Sequence, residues 1–467
     1  MSSLLNVDRQ HNTSWQLNVA RDLSPYLDPL ILDWLCRSPE TLVRLTEMYG
    51  SPLNIVWPHT VAPNLQAMAA VTASFGVETR FYYGVKVNKS QALLRAAVLA
   101  GAGADVSSIQ ELRDALRAGC RGADLCATGP AKTRDFLQEL ILQDAQIVVD
   151  SPQELQEVIE LARNWKRNST RVRILLRLRP DASRSSRFGM PSDEIIKVLP
   201  AVASCKQVTL VGFHFHLNGY APEPRVNAFF DTLPLFTYAR SLGLAPNIID
   251  IGGGLPVQYV ESESYQRWFS SQSSNDYRTG LVPSSFYPYG GELNAARWLK
   301  QFLAGQDPQG KTVSSWLHSE GLTLCAEPGR SLVNQGAISI FRVCRVAPET
   351  DKYSVIFVEG SSFSACETWF NSEFLIDPLH LAPVNKGEQF ASGKAWIAGH
   401  SCLDEDVITN RLVYFRRLPQ PDDLLIFTNT AGYQMDLLEN RFHRHPTPTR
   451  LTALLNTSHN LTFSIDK

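Results

Sequence analysis

Residues 79–107, TRFYYGVKVNKSQALLRAAVLAGAGADVS, contain one complete strand–helix–strand repeat. TRFYYGVKV is an apolar run with aromatic and β-branched residues, which predicts a buried strand. QALLRAAVLAG has the 3.6-residue periodicity of a helix that packs one face on a core, and GADVS begins the next apolar run. Two buried strands joined by a helix predict a βαβ unit with parallel strands.

The same repeat continues to about residue 330. Helical stretches such as 109–119 and 152–165 alternate with six further apolar runs, which lie at 123–129, 145–150, 171–178, 209–217, 247–254 and 322–329. About eight β–α units within roughly 250 residues predict a closed (β/α)8 barrel, or TIM barrel. An open doubly wound sheet is the alternative that the pattern leaves.

The rest of the chain does not follow this repeat. After residue 331 short apolar runs recur without helical periodicity, which predicts a C-terminal β-rich domain, a barrel or a sandwich, over 336–467. We assign 51–335 to the barrel, with an insertion at about 261–312 that is rich in Ser, Gly, Tyr and Pro. Residues 1–50 are predicted to pack on the β-rich domain.

Composition and charge narrow the possible functions. The 467 residues carry a net charge of −2 and no run of Lys or Arg, which argues against a nucleic-acid partner. No apolar run approaches the roughly 20 residues needed to span a bilayer, and the first residues lack a secretory signal. The eight cysteines are scattered without a C-x-x-C pair, which argues against zinc and favours reduced thiols. We therefore expect a cytoplasmic protein with no membrane partner.

Chemically useful residues follow the first and last strands, at the end of a barrel where active sites lie. Lys86 ends the first strand, where partial desolvation favours a neutral amine that can condense with an aldehyde. A lysine that simply reaches solvent is the alternative. Glu327, in CAEPGR, could pair with a protonated heterocyclic nitrogen, or only with a neighbouring arginine. Gly329 and Arg330 could offer an N–H group and a cation to a phosphate.

Glycines and histidines follow two other strands. Gly252, Gly253 and Gly254 come after IIDI, and they would let backbone amides approach an anion, although an ordinary turn has the same composition. His214 and His216 in GFHFHL lie on one side of a strand because side chains alternate. One imidazole could stack on a flat aromatic ring while the other is a core histidine. No third ligand has a suggestive spacing, so we expect no metal site.

Taken in order, these motifs resemble the fold-type III decarboxylases that depend on pyridoxal 5′-phosphate (PLP), which include ornithine, arginine and diaminopimelate decarboxylases. The resemblance extends over roughly residues 50 to 450 and implies a barrel of the alanine racemase type. It is carried by YGVKVN, ADVSSIQEL, GPAKT, VDSPQEL, SRFGM, GFHFHL, DIGGG, EPGR, a late Cys402 and a late AGY.

The resemblance implies PLP as the cofactor and a role for each matching residue. Lys86 would form a Schiff base with the PLP aldehyde and later move protons. Glu327 would keep the pyridine nitrogen protonated, and His216 would stack on the ring. Cys402 would protonate the carbanion and would come from the second subunit of a homodimer with shared active sites. The other implied cofactor contacts are Asp105, Arg177, Gly252, Gly253, Gly254, Gly329, Arg330 and Tyr433.

The residue types at the positions that would contact the substrate differ from those that are common in the family. The acidic residue that commonly follows the catalytic cysteine is Leu403 here, so we predict a substrate other than ornithine, lysine or diaminopimelate. The distal group of that substrate would be neutral, apolar or anionic. The basic run at 443–445 could meet an anionic group or be a solvated surface. The candidates for the pocket wall are Leu403, Asp377, His380, His443 and His445.

The predicted function is PLP-dependent decarboxylation of an amino acid or an amino-acid conjugate. A racemase or epimerase on the same barrel is second, because alanine racemases of this fold place an arginine where Glu327 stands. A non-catalytic PLP-binding regulator is third, because the length of the chain and the presence of Lys86, Glu327 and Cys402 argue against it.

Overall fold

The computed structural model describes residues 14–165, 171–284, 286–365, 376–384, 390–437, 442–455 and 461–466. The chain divides into two units, each considered by itself. Unit 1 comprises residues 1–60, 257–292 and 333–467, and unit 2 comprises residues 61–256 and 293–332. Within the described ranges, no helix combines the length and apolar character needed to cross a membrane.

The strands and helices are numbered here in chain order. The strands are β1 (Trp15–Val19), β2 (Leu53–Val56), β3 (Thr79–Gly84), β4 (Gly103–Val106), β5 (Leu125–Ala127), β6 (Gln146–Val149), β7 (Val172–Leu178), β8 (Val208–Phe215), β9 (Ile248–Asp250), β10 (Thr323–Ala326), β11 (Ala337–Pro348), β12 (Tyr353–Val358), β13 (Leu379–Pro383), β14 (Gly393–Ala398), β15 (Val407–Phe415), β16 (Leu424–Thr428), β17 (Thr449–Leu455) and β18 (Leu461–Ile465). The helices are α1 (Pro29–Arg37), α2 (Pro39–Tyr49), α3 (Val61–Ser74), α4 (Gln91–Leu99), α5 (Ile109–Arg117), α6 (Arg134–Leu142), α7 (Pro152–Asn164), α8 (Ser192–Ser204), α9 (Glu223–Ser241), α10 (Ser262–Ser271), α11 (Ala295–Ala304), α12 (Val313–Glu320) and α13 (Ser362–Ala365).

Unit 2 contains a closed barrel of eight parallel strands. Strands β3 to β9 pair in sequence, and β10 pairs with both β9 and β3 to close the sheet. The predicted (β/α)8 barrel is therefore confirmed, and the open sheet is excluded. One detail differs: β3 ends at Gly84, and Lys86 lies in a 3-10 turn, Val85–Val87, rather than in the strand.

The barrel interior changes from apolar to polar along the strands. One cluster of buried side chains consists of Tyr82, Cys126, Val148, Leu175, Ile248 and Cys325. Side chains that are two residues apart in a strand point the same way, so the next inward-facing layer lies at the strand ends. That layer consists of Gly84, Thr128, Asp150, Arg177, Asp250 and Glu327. The polar residues of the site thus lie two positions after the residues of the apolar layer, on the same inward-facing side of each strand.

Unit 1 is built on a ten-stranded, mainly antiparallel sheet, in agreement with the predicted β-rich domain. One path through it runs β1-β13-β16-β11-β12-β14-β15, while β2 pairs with β11 and β17, and β17 pairs with β18. Helices α1 and α2 bury Ile31, Leu35 and Leu42 in the same apolar cluster as Ile338 of β11 and Leu451 of β17.

The segment between β9 and β10 divides differently from the predicted insertion. Residues 257–292 belong to unit 1, whereas α11 and α12 belong to unit 2. Backbone hydrogen bonds to the rest of unit 1 explain the first part, because the carbonyl of Tyr259 accepts the N–H of Tyr26 and the N–H of Arg278 donates to the carbonyl of Asn410. The second part joins unit 2 because α11 buries Trp298 and Phe302 there.

Candidate active site

A cavity of about 440 Å³ lies at the carboxyl ends of the barrel strands, within unit 2. Pockets that hold small ligands commonly measure roughly 300–1,000 Å³. Polar side chains in its wall include Lys86, Ser107, Thr128, Arg177, His214, His216 and Glu327. Four residues predicted from different motifs, Lys86, Arg177, His216 and Glu327, thus meet in one cavity.

Lys86 presents its amine next to a buried carboxylate. Its Nζ lies 3.5 Å from Oδ2 of Asp105, and the lysine side chain remains 44% exposed, so a ligand can reach the amine. Thr128 donates to Oδ1 of Asp105 at 2.6 Å. Burial raises the pKa of Asp105, the charge of Glu327 raises it further, and the ammonium group of Lys86 opposes both effects. Asp105 therefore holds the lysine in place.

Glu327 is fully buried and bonded to a histidine. Nε2 of His214 lies 3.1 Å from Oε1 of Glu327, and Nδ1 of His216 lies 3.9 Å from Oε2. Burial raises the pKa of Glu327, and burial also lowers the pKa of both imidazoles well below the usual value. The histidines are therefore neutral, and a neutral His214 holds the carboxyl by hydrogen bonding rather than by charge. His214, which the sequence placed only as a core residue, thus supports the site.

The glycine loop after β9 requires glycine, but not in the way the sequence predicted. Gly252 has φ +68°, and a Cβ there would lie 2.5 Å from Nδ1 of His216. The N–H of Gly252 donates to Asp250 at 2.9 Å, and the N–H of Gly253 donates to Nδ1 of His216 at 3.1 Å. These two amides therefore hold protein groups instead of pointing at an anion. The loop also fixes the His216 tautomer, because Nδ1 acts as an acceptor.

Asp250 is a second buried carboxyl that the sequence interpretation missed. Burial and the charge of Glu327 raise its pKa well above the usual value, and its Oδ2 has no hydrogen-bond partner among the described residues. Cys126, Asp250 and Glu327 have ligand atoms within 4.8 Å of one another. Burial also raises the pKa of the Cys126 thiol, so these groups favour protonated forms over metal-ligating anions. The position of Asp250, two residues before Gly252 in DIGGG, was the available signal.

A buried cation lies behind the glycine loop. Arg225 is fully buried and donates to the carbonyl oxygens of Leu217 at 2.6 Å, Gly219 at 3.0 Å and Gly253 at 3.1 Å. Burial lowers its pKa to about 10, so the guanidinium remains charged at neutral pH. Arg225 thus joins the segments that follow β8 and β9 through charge-assisted hydrogen bonds. Arg330, the predicted phosphate contact, places Nη1 3.3 Å from the hydroxyl of Tyr220.

Arg177 joins two of the predicted motifs. Its Nη1 donates to Oδ1 of Asp150 at 3.1 Å, and its guanidinium lies 4.7 Å from the centroid of the Phe188 ring. Oδ2 of Asp150 accepts the N–H of Gly189 at 3.0 Å. Arg177 therefore fixes the SRFGM segment against the end of β6 while its charge contributes to the cavity wall.

Two predicted pocket residues of unit 1 are part of buried structural pairs instead. Asp377 is fully buried, pairs with Arg411 and accepts the N–H of Leu23 at 2.9 Å. His380 places Nε2 2.7 Å from Oδ2 of the buried Asp423. Because all of these groups are used inside unit 1, the geometry argues against a role for Asp377 and His380 in a substrate pocket.

Removing the Asp377 carboxylate is expected to destabilise unit 1. Asp377→Ala would remove the carboxylate that pairs with the buried guanidinium of Arg411, and breaking a buried ion pair costs about 3–5 kcal/mol. Chemical denaturation followed by tryptophan fluorescence should show this loss. Asp351→Ala, at an exposed position, should leave the unfolding transition unchanged. An equal effect of both variants would show that the buried pair contributes no more to the free energy of unfolding than a surface carboxylate does.

The remaining predicted residues of unit 1 have distinct surroundings. Tyr433 lies in the turns after β16, partly buried and with φ +77°. Cys402 and Leu403 are exposed in the loop after β14. His443 lies 3.0 Å from the Cys402 sulfur, and His445 stacks on His400 at 3.7 Å between ring centroids. The basic run is therefore not a simple solvated surface.

The groups that line the barrel cavity fit the parts of PLP. Lys86 offers an amine for the aldehyde, Glu327 offers a carboxyl for the basic ring nitrogen, and His216 offers a flat imidazole. A cation beside Glu327 would also offset the cost of its burial, which the raised pKa of this carboxyl reflects. Arg330 would contribute positive charge toward a phosphate, whereas Arg225 is buried and bonded to carbonyl oxygens.

Comparison with known proteins leads to the same cofactor. Residues 64–279 match the family model for the pyridoxal-binding domain of pyridoxal-dependent decarboxylases. The chain is 50% identical to the uncharacterized protein y4yA of Sinorhizobium fredii, over 93% of this chain and 92% of that protein. It is 25% identical to the L-glutamyl-[BtrI acyl-carrier protein] decarboxylase of Niallia circulans, over 78% of this chain and 81% of that enzyme.

Solved structures share the fold. The diaminopimelate decarboxylase of M. jannaschii in complex with L-lysine superposes with a TM-score of 0.66 at 18% identity, over 88% of this chain and 89% of that one. PLP is therefore the cofactor of this enzyme, and its reaction is the decarboxylation of an amino acid. The chain belongs to the fold-type III PLP-dependent decarboxylase family.

Proposed function

We propose that the enzyme decarboxylates an amino acid, free or carried as a conjugate, whose distal group is neutral, apolar or anionic. Leu403 is the observation that carries this proposal, because it follows Cys402 where similar decarboxylases commonly have an acidic residue that reads a distal amine. An aliphatic side chain cannot pair with an ammonium group, and an unpaired charge in a closed site is costly. Ornithine, lysine and diaminopimelate are therefore not the proposed substrates.

The name of one similar enzyme supports an amino-acid conjugate as the substrate. The decarboxylase of Niallia circulans is named for an L-glutamyl group carried on an acyl-carrier protein. Such a substrate is an amino-acid conjugate, so this family includes an enzyme that accepts a substrate larger than a free amino acid.

Each of these cavity residues has a distinct role in the proposed reaction. When bound, PLP supplies an aldehyde for the substrate amine and a ring that accepts the electrons released with CO₂. Lys86 presents the amine that holds the cofactor and can move protons at its Nζ. Glu327 would keep the ring nitrogen protonated, and the hydrogen bond from His214 orients that carboxyl. A carboxyl rather than a guanidinium at this position would favour loss of CO₂ over racemisation, because it would keep the ring nitrogen protonated.

We also propose that two copies of the chain form a homodimer with shared active sites. The cofactor groups lie in unit 2, whereas Cys402 lies in an exposed loop of unit 1, where a second copy can reach it. Cys402 would then give its proton to the substrate carbon in the site of the other subunit. The oligomeric state can be measured by sedimentation.

A substrate panel tests the proposal, with Leu403→Asp as the decisive variant. The wild type should release CO₂ from a neutral or anionic amino acid, or from a glutamyl thioester, in preference to lysine and ornithine. Leu403→Asp should shift kcat/KM toward lysine or ornithine by at least about tenfold, because a charged hydrogen bond contributes about 1.5–3 kcal/mol. The exposed Leu454→Asp on β17 is a matched control that should change nothing.

Two outcomes would contradict parts of this proposal. A wild type that prefers ornithine or lysine would remove Leu403 as the determinant and point to Asp404, the next side chain of the loop. A wild type that binds an amino acid without releasing CO₂ but inverts its stereochemistry would identify a racemase.

A further inference from the structure

The loop that carries Cys402 is held in one conformation by a buried carboxylate. The side chain of Asp406 accepts the N–H of Ser401 at 3.0 Å and the N–H of Ser362 at 2.7 Å. The N–H of Gly399 donates to the carbonyl of Asp406 at 3.0 Å, and a Cβ on Gly399 would lie 2.2 Å from Oδ2 of Asp406. Cys402 therefore stands at the tip of a fixed turn rather than on a loose segment.

His443 reaches the thiol from a strained turn. His443 and Arg444 have φ +56° and +61° in the 3-10 turn Phe442–Arg444. Residues other than glycine in this region cost about 1–3 kcal/mol each, and such strain is concentrated at functional sites. The turn places Nε2 of His443 3.0 Å from Sγ and 3.5 Å from the backbone N of Cys402.

The surroundings favour a proton-handling pair over a metal site. The rings of His400 and His445 stack on each other, and His445 lies 5.9 Å from His443 between centroids. Among the residues that the structure describes, no third ligand atom joins Cys402 and His443 at the spacing of a metal site. A thiol beside an imidazole is instead an arrangement that controls the reactivity of the sulfur.

We propose that His443 is the positioning residue that orients the Cys402 thiol and returns its proton. This inference rests on the proposed function, in which Cys402 protonates the substrate carbon that has lost CO₂. The S–H bond breaks as the C–H bond forms, with the electron pair left by CO₂ forming the new bond, and the sulfur becomes a thiolate. Nε2 of His443, which accepts the backbone N–H of Cys402, takes a proton from water, and the imidazolium so formed passes that proton to Sγ, so no oxidant or reductant is needed.

The first test measures the sulfur and does not depend on turnover. Alkylation of Cys402 by iodoacetamide at pH 7 is followed by peptide mass spectrometry, with the exposed Cys344 as the internal reference. His443→Gln should slow the Cys402 reaction about tenfold relative to Cys344, because the imidazole that activates the thiol is removed. His318→Gln, at an exposed histidine of α12 in unit 2, should leave that rate within twofold. An unchanged rate in His443→Gln would overturn the proposal.

The second test measures catalysis with the preferred substrate. His443→Gln should lower kcat about tenfold without a change in KM, and added imidazole should restore part of the loss in His443→Ala. If alkylation slows but kcat is unchanged, the contact exists and the proton-return role is wrong. Failure of the proposed function is separate: it would show in the wild type, as no CO₂ from any member of the panel.

Discussion

Lys86→Ala is expected to abolish both the visible absorbance of the cofactor-bound protein and the release of CO₂. Nζ of Lys86 is the primary amine of the barrel cavity that a ligand can reach, as its partly exposed side chain and the contact with Asp105 indicate. In the proposed function this amine attaches the cofactor and carries protons, so its removal is expected to lower the rate by about 10³-fold or more. Absorbance spectra and a CO₂ assay measure the two effects.

Lys86→Arg is the matched control for charge. A guanidinium can still pair with Asp105, but it remains protonated and cannot condense with an aldehyde. We therefore expect Lys86→Arg to lose the absorbance and the activity as completely as the alanine variant while keeping the stability of the wild type. An absorbance band that persists in both variants would assign the covalent attachment to another lysine. Lys300→Ala, on the surface of α11, should behave as the wild type.

The barrel could be predicted from sequence because each of its strands is a buried apolar run between amphipathic helices. Local periodicity carries this information, whereas closure of the sheet, which the repeat left open, is shown by the pairing of β10 with β3. The division of the segment after β9 could not be predicted, because it depends on tertiary contacts such as the hydrogen bond from the N–H of Tyr26 to the carbonyl of Tyr259. Neither tyrosine belongs to a periodic pattern that would indicate its unit.

The site residues also divide into those that a local motif predicts and those whose roles depend on tertiary contacts. Lys86, His216 and Glu327 could be recognised because each follows a strand inside a distinctive motif, and the structure places them around one cavity. The roles of His214 and Asp250 depend on their burial next to Glu327, which no motif reports. Asp377 looked like a pocket residue because its partner, Arg411, is distant in sequence and lies on β15.

Glu327→Gln is expected to produce the second large loss, with the cofactor still attached. In the wild type, Nε2 of His214 lies 3.1 Å from Oε1 of Glu327. Glutamine keeps the shape of this side chain, and its amide oxygen can still accept a hydrogen bond from the same Nε2. It cannot carry the negative charge that the proposed contact with the ring nitrogen needs, so the cofactor would accept the electrons released with CO₂ less readily. Removing one such preorganised group commonly costs about 10²–10³ in kcat.

The spectrum separates this effect from misfolding. Because Lys86 is untouched, Glu327→Gln should keep visible absorbance with PLP bound while kcat falls and KM changes little. The carboxylate of Glu320 pairs with Arg240 at the surface of unit 2. Glu320→Gln is therefore a control that should keep full activity. If Glu327→Gln retained kcat within about threefold, the ring nitrogen would not depend on this carboxyl. The argument that favours decarboxylation over racemisation would then fail, because it rests on the charge that Glu327 supplies.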